Sequence, residues 1–152
     1  MRLSNHLKSK KGNKEKKKKI ETYSKWDFDN EQLLQAYYDL VGKGMLDSGK
    51  YTDLQKDKVW ETEYRGKIAK AKGTVYDVGY VHSFNNEGLK KIIIRVNLTD
   101  NHHIELFLKE SENDKCMKLN KGDIIQFIGK LDKLGTGMVI PHTITDVILL
   151  NE

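Results

Sequence analysis

The residues that could ligate a metal or act as nucleophiles are few: five histidines and one cysteine in 152 residues. His102 and His103 are adjacent, so on a strand their rings point to opposite faces and cannot hold one ion together. His82 and His142 fall in other segments, and no cysteine or carboxylate stands at zinc spacing. Cys116, being single, excludes an intrachain disulfide and a thiol metal knuckle. The chain has no glycine-rich phosphate loop, no G-x-S-x-G elbow and no H-E-x-x-H helix. It therefore reads as non-enzymatic, and neither a cofactor nor a metal is expected. The chemistry left is that of binding. From Tyr64 to Leu98, Arg65, Lys67, Lys70, Lys72, Lys90, Lys91 and Arg95 stand against only Asp77 and Glu87, and Tyr76, Tyr80 and Phe84 lie among them. Cations that track phosphates together with rings that stack on bases are what a single-strand binder needs.

Five segments must position those residues: Lys67–Val81, Lys90–Leu98, His103–Leu108, Asp123–Leu131 and Met138–Leu149. All are rich in β-branched or aromatic residues and are separated by turn formers. In the second, Ile92, Ile94, Val96 and Leu98 share one face, and Lys91, Ile93 and Arg95 the other. In the third, Ile104, Leu106 and Leu108 oppose His103, Glu105 and Phe107. The link Thr99-Asp100-Asn101-His102 predicts a hairpin. Gly73 and Gly79 interrupt the first segment, where a glycine marks a bulge or a bend. Five such strands within 85 or so residues suit a small barrel.

The glycine-bent first strand, the hairpin, the run Leu119-Asn120-Lys121-Gly122-Asp123 into IIQFIGKL, and a last strand after a glycine turn together resemble the OB-fold, and within it the tRNA anticodon-binding-like (tRNA_anti-like) group. The most family-like pieces are Lys121–Lys130 and Gly66–Val75, and the resemblance covers roughly residues 60–150. It implies a mainly β fold, a five-stranded OB-fold barrel. It also implies an oligonucleotide surface on the second and third strands, flanked by the loops after the first and fourth. Those loops contain His82–Leu89, with Phe84, and Asp132–Gly137, with Lys133.

The net charge of +5 is unevenly spread. Residues 1–20 hold nine basic side chains against Glu15, a net of +8, which leaves −3 for the remainder. Residues 1–24 are lysine-rich with few apolar anchors and cannot repay the entropy of folding, so they predict a disordered basic arm. Its Lys16, Lys17 and Lys18 serve either as an electrostatic tether or as a solubilising tail. No apolar core follows the first charges and no run is long enough to span a bilayer, so a cytoplasmic protein without a membrane partner is expected.

Residues 25–65 read as a helical extension ahead of a barrel at 66–152. Asp27 or Asp29 can cap a helix carrying Leu33, Leu34, Tyr37, Tyr38 and Val41, with Gly42 to stop it. A second helix is predicted from Thr52 to Tyr64, with Leu54 and Trp60 on the barrel; aromatics at helical spacing are more often core than base-stacking rings. Lys109–Lys118 predicts a loop or a single helical turn. The candidate nucleic-acid residues are thus Lys72, Tyr76, Phe84, Lys90, Lys91, Arg95, His103, Phe107, Lys133, Lys16, Lys17 and Lys18. The expected partner is single-stranded DNA or RNA, bound without a sequence code. The alternative is a protein partner docked by the barrel or by the two helices; an outward Ile93 and Phe107 also fit a wall covered by the chain's own N-terminal helices.

Overall fold

The computed structural model describes residues 23–44, 46–82 and 90–150; of these, the side chains of 81, 82, 90 and 91 lie outside the description. Helix α1 (Asn30–Val41) starts where Asp29 closes a capping box with Gln32, and it ends at Gly42, whose φ of 89° no branched residue adopts easily. Helix α2 (Asp53–Val59) starts at a second box, Thr52 with Gln55, and runs on as one π turn, Trp60–Tyr64. Five strands follow: β1 (Ile68–His82), β2 (Lys90–Thr99), β3 (His102–Leu108), β4 (Ile124–Leu131) and β5 (His142–Leu149). Between β3 and β4 a 3₁₀ turn leads into the one-turn α3 (Asn113–Cys116), as expected of that short polar link.

The strands close in the order β1-β2-β3-β5-β4. β1 serves both halves: Ile68–Thr74 pairs with β4, and Thr74–His82 pairs with β2. The closure between β3 and β5 is parallel. Inside sit Ala69, Ala71, Val75, Ile94, Val96, Ile104, Leu106, Ile125, Phe127, Ile144 and Val147. The predicted inward phase of β2 and β3 is thus the observed one.

Leu33, Tyr37, Leu40 and Trp60 belong to the same core, so the helices are packed onto one end of the barrel. Their attachments are specific. Asp27 and Phe28 lie along β1, with Asp27 N–H donating to the Ile68 carbonyl at 2.8 Å and Lys70 N–H to that of Phe28 at 2.9 Å. Trp60 Nε1–H donates to the Asp132 carbonyl at 3.0 Å. Stacked rings run Phe28, Tyr64, Trp60, Tyr37, His142 between helices and barrel.

Four expectations are corrected. The β2–β3 link is only Asp100-Asn101, because His102 keeps the inward phase of Ile104 and is buried with it. β5 begins at His142, not Met138, since Thr136 Oγ1 accepts the N–H groups of Val139 and Ile140 and folds Met138–Ile140 into a turn. The bulge in β1 falls at Tyr76, between Val75 and Asp77, and not at a glycine. Leu54 is 87% exposed, because it sits in the first turn of α2 while Trp60, beyond that helix, makes the barrel contact. The predicted arm lies outside the described residues up to residue 22.

Candidate nucleic-acid interface

The alternation that turns Ile94, Val96, Ile104 and Leu106 inward turns their neighbours onto the outer wall of β1–β2–β3. Register sets the rows: Asn97 opposite His103, Arg95 between Asp77 and Glu105, and Ile93 between Gly79 and Phe107. The bulge adds Tyr76 beside Asp77. Tyr76 meets the His103 ring edge-on at 5.4 Å between centroids, and His103 Nδ1 bonds to Asn97 Oδ1. Tyr76, His103 and Phe107 are all half-buried. Phe107 also lines a groove of about 610 Å³ with Ile92, Lys109, Thr145 and Asp146.

Arg95 is engaged from two sides. Its Nη1 donates to Asp77 Oδ2 at 2.7 Å and its Nε to Glu105 Oε2 at 3.0 Å. Partial burial pulls its pKa down, but the hydrogen bonds it donates to the two carboxylates, with their charge, outweigh that and hold it above the ordinary arginine value. The triad carries a net charge of −1, so this part of the wall has no cation to spare. Lys72 is exposed on β1 and Lys133 on the β4–β5 loop. The structure therefore gathers Tyr76, Arg95, His103 and Phe107 on one wall, with Lys72 and Lys133 away from its middle. Phe84, Lys16, Lys17 and Lys18 lie outside the described residues, as do the side chains of Lys90 and Lys91, whose backbones pair with β1. Ile93 shares the outer face yet is fully buried, and it stands outside the core cluster.

Sequence reasoning missed a second cluster. His102 and His142, each opening its strand in the inward phase, meet across the parallel β3–β5 pair and are both buried. Gly135 N–H donates to His142 Nδ1 at 2.9 Å, which leaves the proton of a neutral His142 on Nε2. That proton is donated to His102 Nδ1 at 2.9 Å, and His102 Nε2–H donates in turn to the Gly42 carbonyl at 2.9 Å. The chain of bonds is complete with both rings neutral, and burial pushes the pKa of each below the usual histidine value. The signal was available in the phase of the two residues together with an OB-type β3–β5 closure. Among the described residues no three His, Cys, Asp or Glu side chains could hold a metal ion together. Burial pushes the Cys116 thiol up to about 11, which keeps it from acting as a thiolate.

Tyr37 stacks on His142 with centroids 3.7 Å apart and planes 2° off parallel, but its buried hydroxyl has no partner among the described residues. Removing an unsatisfied buried hydroxyl relieves a desolvation cost of about 1–3 kcal/mol. Tyr37→Phe is expected to raise the free energy of unfolding by about 1 kcal/mol, read as a higher urea midpoint at unchanged slope. A lower midpoint would mean that the hydroxyl has a partner after all.

No family model matches the chain, and no curated protein matches it significantly. Solved structures do match. A Klebsiella pneumoniae protein described as a "putative nucleic acid-binding lipoprotein" aligns over 86% of this chain and 97% of its own, with a TM-score of 0.56 and 14% identity. A replication factor A related protein of Methanobacterium thermoautotrophicum aligns over 57% of this chain and 84% of its own, at a TM-score of 0.39 and 12% identity. The Stn1–Ten1 complex of S. pombe aligns over 56% of this chain and 59% of its own, at 0.39 and 9%. At such identities a likeness speaks to fold alone, and only the first is close enough to use. Among the described residues no helix is long and apolar enough to cross a membrane. The strand order, the parallel β3–β5 closure and the first of these likenesses give the chain an OB-fold.

Proposed function

We propose that the protein is a non-enzymatic binder of single-stranded nucleic acid, largely indifferent to sequence, using the outer wall of β1–β2–β3. One observation carries this reading: the segment ahead of α1 is bonded to β1 at Ile68 and Lys70, and the helices meet the barrel at the two buried histidines and at Asp132, while Tyr76, Arg95 and Phe107 keep partial exposure. Tyr76, His103 and Phe107 offer ring surface to bases, each stacked base being worth roughly 1–3 kcal/mol. Phosphates are met by Lys72, Lys90, Lys91 and Lys133 around the wall, with Phe84 on the β1–β2 loop as a further ring. Lys16, Lys17, Lys18 and their neighbours add charge from the arm. Within the OB-fold, the Lys121–Lys130 pattern supports the tRNA anticodon-binding-like group.

Fluorescence anisotropy with labelled oligo(dT) and oligo(U), titrated with salt, tests the proposal. Binding that weakens linearly in log K against log salt is expected, with little difference between base compositions. Absence of binding at low salt would end it.

A protein partner is the second reading, and a different face favours it. Leu46, Leu54, Val139 and Ile140 are exposed on the α1–α2 loop, the first turn of α2 and the β4–β5 turn, and Val139 lines a groove with Val41, Gly44, Asp47 and Met138. Capture of a defined protein, insensitive to nuclease and lost on Val139→Ser, would select that reading.

A further inference from the structure

We infer that Arg95 is a stacking shelf for a nucleobase and not an anchor for phosphate; this rests on the nucleic-acid reading above. The two bonds to Asp77 and Glu105 occupy two N–H edges of the guanidinium. These bonds leave one N–H on Nη1 and both on Nη2 unused, but a phosphate reaching them would face the negative charge of both carboxylates. Both bonds lie in the plane of the group, so neither uses its face. Guanidinium planes stack on aromatic rings and on splayed bases, and a clamp at two edges fixes the plane without using its face.

The surroundings suit that use. Arg95 keeps 30% of its side chain exposed, against 20% for Glu105. Gly79 lies beneath it: a Cβ there would stand 3.3 Å from Arg95 Nη1 and 3.7 Å from Asp77 Oδ2, so any larger residue would press on the clamp. His103, Glu105 and Phe107 alternate along the outer face of β3, which spaces their rows by two residues, about 6.8 Å. The Tyr76–His103 pair, the Arg95 plane and the Phe107 ring therefore follow one another along the wall as three flat platforms. The ligand class is an extended single strand whose bases contact the protein while its phosphates face outward.

The test is anisotropy on the full chain with labelled oligo(dT) and with an abasic oligomer of the same length. Arg95→Lys keeps the charge and loses the plane. It should weaken oligo(dT) binding about tenfold, leave the abasic oligomer unaffected and leave the salt slope unchanged. Asp77→Asn with Glu105→Gln frees the guanidinium edges and should also weaken oligo(dT). Tighter binding by that double variant with a salt slope steeper by about one would identify a phosphate anchor and overturn the inference. So would wild-type affinity in Arg95→Lys. In either case the nucleic-acid reading survives, whereas a wild-type chain that binds no oligomer sinks both. Circular dichroism melts report whether each variant folds. Should Arg95→Lys unfold, the wild type alone decides: equal affinity for oligo(dT) and the abasic oligomer overturns the shelf.

Discussion

Between pH 7 and pH 5 the folded chain is expected to lose about 2 kcal/mol of stability for each buried histidine that stays neutral, and the His102–His142 pair is the cause. Unfolded, each ring titrates near 6.5; folded, burial holds both below that value. Below pH 6.5 the unfolded chain takes up protons that the native pair refuses, so stability is fully present above that pH and falls as pH drops. The slope is about 1.4 kcal/mol per pH unit for each histidine that stays neutral. The geometry says why both resist. A proton on His142 Nδ1 would face the Gly135 N–H, and one on His102 Nδ1 would face His142 Nε2–H. Among the described residues the groups around the rings bring no compensating anion: Tyr37 lies flat on His142, Tyr38 meets His102 edge-on at 5.4 Å, and His103 is a further base beside them. Urea unfolding at pH 8, 7, 6 and 5 would show the decline, and His102→Leu with His142→Leu should flatten it. The same double variant should lower the plateau at pH 8, because the Gly135 N–H and Gly42 carbonyl lose their partners at about 1–3 kcal/mol each. A wild-type profile flat from pH 7 to 5 would mean that the chain of bonds is not as described.

The fate of these histidines shows where sequence was informative. Alternation in Ile92–Leu98 and Ile104–Leu108 is a local property, and it placed the inner and outer faces of β2 and β3 correctly. Caps are local too, so Asp29, Thr52 and Gly42 could be read in advance. The meeting of His102 with His142 depends on which strands close the barrel, 40 residues apart in sequence, and no short-range pattern encodes that. The pairing of Arg95 is intermediate. Its cross-strand neighbour Glu105 follows from the hairpin register, but Asp77 reaches it only because the bulge at Tyr76 shifts β1 by one residue. Composition therefore marked Arg95 as a cation for phosphate, while the clamp shows its charge already engaged.

Removing residues 1–22 is expected to cut oligonucleotide affinity by about two orders of magnitude at low salt and to make the salt dependence markedly shallower. The reason is where charge resides. Residues 1–20 carry +8 and the rest of the chain −3, and the middle of the proposed wall contributes −1 through its triad. A single strand releases about 0.7 counterions per phosphate neutralised, so the slope should fall by about 3 if half of the arm's cations are engaged. The root of the arm is well placed for that work. Tyr23 donates its hydroxyl to the Asp146 carbonyl at 2.6 Å and lies under Lys109 Nζ at 5.3 Å, and both Lys109 and Asp146 border the groove that contains Phe107. The described chain thus begins at the rim of the ring-bearing wall, with the cations that wall lacks attached just ahead of it. Replacing the arm's lysines by glutamine, which keeps its length, should reproduce the deletion. Should deletion leave both affinity and salt slope as they were, the cations would have to come from Lys72, Lys90, Lys91 and Lys133 alone, and the arm would be a solubilising tail.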